Sequence, residues 1–301
     1  MRRRLYWLLA SGVLGAGSRL PLGLGRRLGV VLGLFALRIR PRERRQGEAN
    51  LTLALPDLTA GQRTRLLRAS AGRLGQNLFD TLAADRLLAK SGGVTEEAVQ
   101  LGEAPLREVL RDLTASGRGL LILTGHLGCW ELLGGWLARE VKAAGLGDLG
   151  VVTGTIHNPP VDRLVQDRRR RLGMKVLPRE GGIRPLLAHL RGGGVAAVLM
   201  DQNTRVQNLP VPFFGHPVPT AAGFARLALK LGLPVLPVCL GREAEGHQVR
   251  RLPPMNMTGR AVSATEADLT EFLADCNLCL EKMIRRNPAE WVWFHKRWTQ
   301  P

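Results

Sequence analysis

Cysteine, lysine and tyrosine are all scarce in this sequence of 301 residues. The four cysteines are too few and too scattered to form a disulfide scaffold. Lysine supplies only six of the 43 basic side chains, so arginine, which pairs with phosphates and carboxylates through two parallel hydrogen bonds, carries most of the positive charge. The sequence also lacks a Walker-type phosphate loop and a Gly-x-Ser-x-Gly motif. These two absences argue against nucleotide hydrolysis and against a serine nucleophile, and they favour a hydroxyl of the substrate as the nucleophile.

The overall composition is that of a folded protein with a polyanionic partner. Hydrophobic residues make up 45% and charged residues 23% of the chain, and the formal net charge is +18. Such a charge suits a nucleic acid, an anionic membrane surface or an acidic carrier protein. Because the chain has one tyrosine and no recognisable nucleic-acid module, we expect no nucleic-acid partner. A non-catalytic, basic membrane-tethering protein is a further interpretation of the same charge.

The N-terminal region combines much of this charge with two uncharged apolar runs. Residues 1–48 contain eleven arginines and two glutamates, and the runs cover residues 5–18 and 28–37. Each run is shorter than the ~20 residues of a membrane-spanning helix, which favours two helices lying in the membrane interface. We therefore predict a membrane-anchoring segment at residues 1–40, with a cleavable signal peptide or a buried hairpin as alternatives. The arginines beyond the second run place this end on the cytoplasmic side.

The rest of the chain, residues 41–301, alternates short apolar runs with amphipathic segments. This alternation predicts one α/β catalytic domain with a mixed, mostly parallel sheet covered by helices on both faces. The aromatic residues of 291–298 fit either a closing strand in the core or a lipid-facing surface. Strands are predicted at residues 117–125, 195–200 and 234–240, and helices at residues 51–89 (with Thr59 as a cap), 131–142, 220–231 and 268–286.

Two polar clusters follow predicted buried strands. His126 lies between two glycines, five residues before Glu131, and Asp201 and Gln202 follow the strand at 195–200. Chemistry in parallel sheets occurs at the carboxyl ends of strands, so both clusters are expected to face one crevice. A carboxylate on one imidazole nitrogen leaves the other nitrogen free to accept a proton from a hydroxyl. The hypothesis makes His126 a general base and Glu131 its orienting partner, with Asp201 positioning either the acceptor or His126.

These features also have structural interpretations. A histidine near a helix start is often structural, and Asp201 is also suited to capping a helix. Cys129 is interpreted as a small filler beside Trp130 and not as a nucleophile. The single Cys-x2-Cys pattern at Cys276 and Cys279 has no second pair at zinc-finger spacing. We therefore expect neither a metal nor a cofactor.

Six segments, taken in order, form a recognisable pattern that covers nearly the whole chain. They are residues 50–56 (NLTLALP), 124–131 (TGHLGCWE), 158–162 (NPPVD), 201–202 (DQ), 211–215 (VPFFG) and 291–298 (WVWFHKRW). In these segments the sequence resembles the lipid A late acyltransferases (lauroyl and myristoyl transferases) of the lysophospholipid acyltransferase-like superfamily. The His-x4-Glu motif at residues 124–131 has cysteine where the family commonly has asparagine.

The resemblance implies a glycerolipid acyltransferase-like fold and a membrane-associated enzyme of lipid A or glycolipid biosynthesis. The implied reaction transfers a fatty acyl group from an acyl carrier protein, or from coenzyme A, to a hydroxyl of an anionic lipid at the cytoplasmic face of the inner membrane. A lipid A precursor is the default acceptor, and a lysophospholipid or phosphoglycolipid is the alternative. The candidate substrate-binding or supporting residues are Asn158, Asp162, Arg163, Arg169, Arg170, Asp201 and Gln202.

One departure from the family concerns the acceptor. Members that act on lipid A often have Tyr-Arg-Pro just before Asn158, whereas this chain has Thr-Gly-Thr-Ile-His at residues 153–157. Arg163 or the run at residues 168–171 is a possible substitute for the missing arginine. The departure bears on the identity of the acceptor and leaves the reaction class unchanged.

Overall fold

The computed structural model of the protein describes residues 17–154, 158–178, 183–203, 207–244, 246–255 and 265–298. The strands are β1 (Val94–Glu96), β2 (Leu120–Thr124), β3 (Leu149–Thr153), β4 (Met174–Pro178), β5 (Val195–Leu199), β6 (Asn208–Phe213), β7 (His216–Ala221), β8 (Val235–Arg242) and β9 (His247–Arg251). The helices are α1 (Leu22–Ile39), α2 (Pro41–Ala54), α3 (Ala60–Leu82), α4 (Ala84–Ala89), α5 (Glu97–Gln100), α6 (Leu106–Thr114), α7 (Trp130–Ala143), α8 (Pro159–Arg171), α9 (Arg184–Arg191), α10 (Ala222–Leu231) and α11 (Glu266–Arg286), followed by a short 3-10 helix at Pro288–Glu290.

Seven of the strands form one sheet in the order β1-β9-β8-β2-β5-β3-β4. Neighbouring strands in it are parallel except β8 and β9, which are antiparallel. Strands β6 and β7 form a separate antiparallel hairpin. The prediction of an α/β fold with a mixed, mostly parallel sheet is therefore confirmed.

Two hydrophobic cores cover the two faces of the sheet. Successive side chains of a strand point to opposite faces, so Leu121 and Leu123 join one core while Leu120 and Ile122 join the other. The first core includes side chains from α2, α3, α10 and α11, and the second includes side chains from α4, α6 and α7. The central strands are consequently buried on both sides, which explains their continuous apolar sequences.

The predicted helix at residues 51–89 is interrupted in the structure. Helix α2 ends at Ala54, and α3 begins only at Ala60. Pro56 lies in the break. The residue before a proline disfavours helical backbone angles, which explains why the helix is interrupted here. Thr59 caps α3 as predicted, since its hydroxyl accepts from the amide of Gln62 and the Gln62 side chain accepts from the Thr59 amide.

Residues 291–298 lie in the core but do not form a strand. They run through turns, with one isolated bridge between Trp291 and Leu127. Trp291, Trp293 and Trp298 are all buried. Of the two interpretations that the sequence left open, the structure agrees with the core location of these tryptophans, but the closing strand that accompanied it is wrong.

Helix α1 packs tightly against α3 through facing glycines. A Cβ atom at Gly29 would lie 2.4 Å from the Gly75 carbonyl oxygen, and one at Gly33 would lie 2.0 Å from that of Ala71. Small residues therefore bring the two helix backbones into contact. Within the described residues no helix is both long enough and apolar enough to cross a bilayer. Residues 1–16, which hold most of the first apolar run, lie outside the described residues.

A buried carboxylate connects α1 to the rest of the fold. Asp80 on α3 accepts hydrogen bonds from Arg26 Nε at 2.8 Å, from His247 Nε2 at 3.0 Å and from Arg242. Burial acts to raise the pKa of Asp80, but His247, Arg242 and Arg26 more than offset it and hold this pKa well below its ordinary value. Asp80 is therefore ionised in the folded protein.

We expect Asp80→Asn to reduce the free energy of unfolding by about 3–5 kcal/mol at neutral pH, because it removes the ion-pair partner of the buried Arg242 side chain and of the partly exposed Arg26. The pKa of Asp80 in the folded protein lies below its ordinary value of 3.8. Its stabilising contribution is therefore present above that pH and is lost as the pH falls. Urea titrations at several pH values measure this, and the two proteins should converge in acid. Asp57→Asn, the same change at an exposed position, should leave the urea midpoint unchanged, and equal midpoints for both variants would contradict the account.

Candidate active site

The site begins at the carboxyl end of the central strand β2. After Thr124 the chain turns at Gly125 and Gly128, and His126 lies between them. Gly128 has a φ of +63°, and a Cβ atom there would lie 1.9 Å from the carbonyl oxygen of Leu240. This position therefore requires glycine both for its backbone angle and for the close approach to β8. The turn leaves the His126 side chain 22% exposed.

Asp201 is the carboxylate that contacts the His126 ring. Its Oδ1 lies 2.8 Å from His126 Nδ1, and its Oδ2 accepts from the His126 amide at 2.7 Å. Asp201 follows the end of β5, which pairs in parallel with β2, so the carboxyl ends of the two strands meet. A Cβ atom at Gly125 would approach Asp201 Cγ to 3.0 Å, and the glycine leaves room for the carboxylate. The structure thus joins the two polar clusters that the sequence placed at strand ends.

Asp201 is ionised although it is fully buried. Burial acts to raise the pKa of its carboxyl, but the His126 ring, His295 and the Trp291 indole together hold this pKa below its ordinary value. The carboxylate accepts the indole N–H of Trp291 at 2.8 Å. Because Asp201 can only accept, His126 Nδ1 carries the proton and donates it, and Nε2 is left as the basic nitrogen.

Among the described residues Glu131 makes no hydrogen bond or ion pair with the His126 ring, so the predicted pairing of these two side chains is wrong. Its carboxylate is held by Arg169 on α8, with Nε at 3.0 Å from Oε2 and Nη2 at 2.5 Å from Oε1. Glu131 lies in the first turn of α7, where its side chain meets α8, while Asp201 already occupies Nδ1. The bidentate geometry fixes Glu131 in place.

An apolar groove reaches the site from α1 and α3. Its volume is about 610 Å³, within the ~300–1,000 Å³ that ligand pockets usually have. His126 does not itself line the groove, but Trp130, whose ring centroid lies 5.0 Å from that of His126, does. The other lining side chains include Leu32, Leu37, Leu74, Leu78 and Cys129, together with Arg40, Glu43, Glu131 and Phe294.

Cys129 lines the groove but is not a nucleophile at neutral pH. Its thiol is buried, and burial raises the pKa of this thiol to about 12. Its Sγ lies 3.4 Å from the Thr81 hydroxyl and 3.6 Å from the Asn77 carbonyl oxygen. The thiol therefore remains protonated and packs as a small side chain.

The other predicted site residues lie on α8 and beside Asp201. Asn158 caps α8 by accepting from the Val161 amide at 3.5 Å, and Asp162 accepts from Gln166. Arg163 and Arg170 are exposed on α8, and Arg170 pairs with Asp167. Gln202 is partly buried. Arg169 is thus the α8 residue that the structure joins to the site, through Glu131.

The sequence interpretation missed the role of residues 291–298 around Asp201. Besides the Trp291 indole, His295 Nε2 lies 3.0 Å from the Asp201 carbonyl oxygen. Arg297, fully buried, donates to the Asn203 side chain at 3.2 Å. The available signal was the alternation of aromatic residues with His295, Lys296 and Arg297, which is unusual for a purely apolar core segment.

Comparison with known proteins finds relatives that are named as acyltransferases. The lauroyltransferase of lipid A biosynthesis from Escherichia coli K12 is 28% identical over 98% of this chain and 93% of its own length. The palmitoleoyltransferase of lipid A biosynthesis from the same organism is 26% identical over 98% of this chain and 92% of its own length. A phosphatidylinositol mannoside acyltransferase of Mycobacterium tuberculosis is 28% identical, and the match spans 61% of this chain and 56% of that protein.

The pattern of one protein family matches the chain along nearly its full length. That family is described as the bacterial lipid A biosynthesis acyltransferases, and it matches residues 1–300. The homologue names likewise indicate an acyltransferase. The chain belongs to the bacterial lipid A biosynthesis acyltransferase family.

Proposed function

We propose that this protein transfers a fatty acyl group from an acyl thioester to a hydroxyl of an anionic glycolipid. The observation that carries the proposal is the His126–Asp201 pair beside Trp130, a residue that lines an apolar groove. The pair supplies a base for a hydroxyl, and the groove supplies a place for a hydrocarbon chain. Family membership supports the reaction class.

In the proposed mechanism His126 acts twice. Its Nε2 accepts the proton of the acceptor hydroxyl as the oxygen attacks the carbonyl carbon of the thioester. Asp201 stabilises the resulting imidazolium through Nδ1. As the carbon–sulphur bond breaks, the imidazolium returns its proton to the departing sulphur. The products are an ester and a free thiol, and His126 is again neutral.

The acyl chain occupies the groove between α1 and α3 in this proposal. The lining is predominantly apolar, and Trp130 links it to His126. A chain in the groove with its carbonyl carbon beside Trp130 would therefore lie close to the base. The donor is an acyl carrier protein or coenzyme A, since both present the acyl group as a thioester.

The acceptor is proposed to be anionic because of the arginines on α8. Arg163 and Arg170 are exposed there, and guanidinium groups match the geometry of phosphates. Arg169 is already bound to Glu131, so this ion pair forms a fixed polar wall beside Trp130. A lipid A precursor is the first candidate acceptor, and a phosphoglycolipid or lysophospholipid is the second. The names of the relatives include both lipid A and phosphatidylinositol mannoside.

The test is a transfer assay with the full-length protein in detergent. Acyl carrier protein and coenzyme A thioesters are offered with a lipid A precursor, a phosphatidylinositol mannoside or a lysophospholipid, and products are identified by mass spectrometry. Supporting results are an acceptor heavier by one acyl chain, equimolar free thiol and slower reaction of the dephosphorylated acceptor. Thiol release without any acylated acceptor would contradict the proposal.

The protein is also proposed to lie on an anionic membrane, at the cytoplasmic face of the inner membrane, through α1. The outward face of this helix is apolar and exposed, with Val31 at 63% and Phe35 at 57% exposure. Arg27 and Arg38 flank this face and are exposed, as basic residues of interfacial helices are. Leu32, which lines the groove, lies on the same helix, so an acyl chain would reach the groove from the membrane side.

We expect the double variant Val31→Asp/Phe35→Asp to bind anionic phospholipid vesicles at least about tenfold more weakly. Two apolar side chains, worth ~1.5–3 kcal/mol each when buried, no longer enter the bilayer. Co-sedimentation with vesicles measures the partition coefficient, and high salt alone should not release the wild type. Leu278→Asp, at an exposed leucine of α11, is the control and should bind as the wild type does. Equal binding of the double variant and this control would contradict the role of α1.

A further inference from the structure

Residues 291–298 surround the carboxylate that partners His126. The Val292 amide donates to the His126 carbonyl oxygen at 3.3 Å, and the Gly128 amide donates to that of Glu290 at 3.0 Å. The same segment therefore contacts the histidine turn through its backbone and Asp201 through the side chains of Trp291 and His295. The two halves of the pair come from different strands, and this segment is bonded to both.

One oxygen of the Asp201 carboxylate binds the His126 ring. The other oxygen needs donors of its own if the carboxylate is to be held in one orientation. Oδ1 is used by His126 Nδ1, and Oδ2 lies between the His126 amide and the Trp291 indole. With both donors present, rotation of the carboxylate about its Cβ–Cγ bond breaks hydrogen bonds on both oxygens. The indole N–H thus holds the oxygen that His126 does not use in catalysis.

We propose that Trp291 is a positioning residue for the reaction, acting through Asp201 without touching substrate. This inference rests on the proposed function, because it assigns Trp291 a role in the base formed by His126 and Asp201. The indole N–H orients the carboxylate toward Nδ1 and, as one further donor besides the His126 amide, disperses its negative charge. Both effects keep the proton on Nδ1 and Nε2 available as the base.

The fold holds Trp291 in place independently of the indole N–H. Its carbonyl oxygen accepts from the Ser70 hydroxyl at 2.7 Å, and its ring packs against Trp293 with centroids 4.6 Å apart. Asn50 donates to the carbonyl oxygens of Trp293 at 2.7 Å and His295 at 2.8 Å. Loss of the N–H alone should therefore leave the segment folded.

Trp293 provides a matched control within the same segment. It is also a buried tryptophan, and its indole N–H donates to the Pro288 carbonyl oxygen at 2.8 Å. Trp293→Phe therefore removes the same ring volume and one partly buried hydrogen bond. It leaves the bond from the Trp291 indole to Asp201 untouched.

The groups around Asp201 determine how pH enters the test. The charges of His126 and His295 act to lower the pKa of Asp201. The Asp201 charge in turn acts to raise the pKa of Arg297. His295 is buried, and burial lowers its pKa, so it is neutral near pH 7. With one donor removed, the Asp201 charge is less dispersed and holds a proton on the His126 ring more strongly. The acid limb of the pH–rate profile should therefore move to higher pH.

The experiment measures the acyl transfer of Trp291→Phe and Trp293→Phe, in the full-length protein, with donor and acceptor varied separately from pH 5 to pH 9. For Trp291→Phe we expect kcat to fall by about 10–100-fold, KM values to stay within about twofold and the acid limb to shift upward. Trp293→Phe should keep the wild-type profile. Equal kcat losses in the two variants with unshifted profiles would overturn the inference.

A second variant covers the case in which Trp291→Phe does not fold. Benzothienylalanine at position 291 keeps the bicyclic ring and replaces the N–H by sulphur, so it removes the donor without removing volume. A wild-type rate and profile for this protein would also overturn the inference. The proposed function fails separately, if His126→Ala retains full transfer. If His126→Ala is inactive while the variants at position 291 keep the wild-type rate and pH profile, only the inference about Trp291 is rejected and the proposed function stands.

Discussion

His126→Ala is expected to lower the rate of acyl transfer by about 10²–10⁴-fold, the usual contribution of a general base. Without the imidazole no group in the proposed mechanism accepts the hydroxyl proton as the thioester is attacked. The groove, α1 and the Glu131–Arg169 ion pair do not depend on the His126 ring. Folding and vesicle binding should therefore be unchanged. Single-turnover transfer to the acceptor, followed by mass spectrometry, measures the loss.

His216→Ala is the control for this prediction. His216 is exposed at the start of β7, in the hairpin outside the main sheet, so its loss should not alter the rate. A His126→Ala protein with the rate of this control would reject His126 as the base. Transfer would then have to use another group to accept the hydroxyl proton.

Asp201→Asn is expected to be as damaging as His126→Ala, with a loss of about 10³–10⁴-fold, as for the carboxylate of other acid–base triads. The change is isosteric, and the asparagine oxygen still accepts from the His126 amide and the Trp291 indole. Its NH2 group then faces Nδ1, which must become an acceptor and pass its proton to Nε2. The imidazole is thereby locked in the wrong tautomer for a base. Single-turnover transfer to the acceptor, followed by mass spectrometry as for His126→Ala, measures the expected loss.

The matched control for this change is Asp167→Asn on α8. Asp167 is exposed and pairs only with Arg170 among the contacts found in the described residues. We expect it to keep the wild-type rate. If Asp201→Asn also kept that rate, the tautomer argument would be wrong, whatever the outcome for His126.

Much of the fold was predictable because its signals are local. Short apolar runs ending in glycine or a polar residue predicted β2, β5 and β8, and Thr59 was correctly predicted as a helix cap. The break before α3 was not predicted, although Pro56 was visible. The helical spacing of the leucines between residues 66 and 82 outweighed that single residue in the sequence interpretation.

The site was predictable only in part, since its contacts join residues far apart in the chain. The position of His126 follows from one strand end, and Asp201 follows from another, 75 residues later. Which carboxylate meets the imidazole depends on how β2 and β5 are aligned and on where α7 points. The local spacing of His126 and Glu131 favoured the wrong partner. Trp291, 90 residues from Asp201, carries no local sign of this contact.

The most direct test of the central claim compares Asp201→Asn and Glu131→Gln, each alone and each combined with His126→Ala, by long single-turnover incubations. Residues that act as one unit show non-additive losses. The account predicts that Asp201→Asn costs nothing further once His126 is alanine, whereas Glu131→Gln costs the same in both backgrounds. The opposite pattern, with Glu131 coupled to His126 and Asp201 additive, would contradict it.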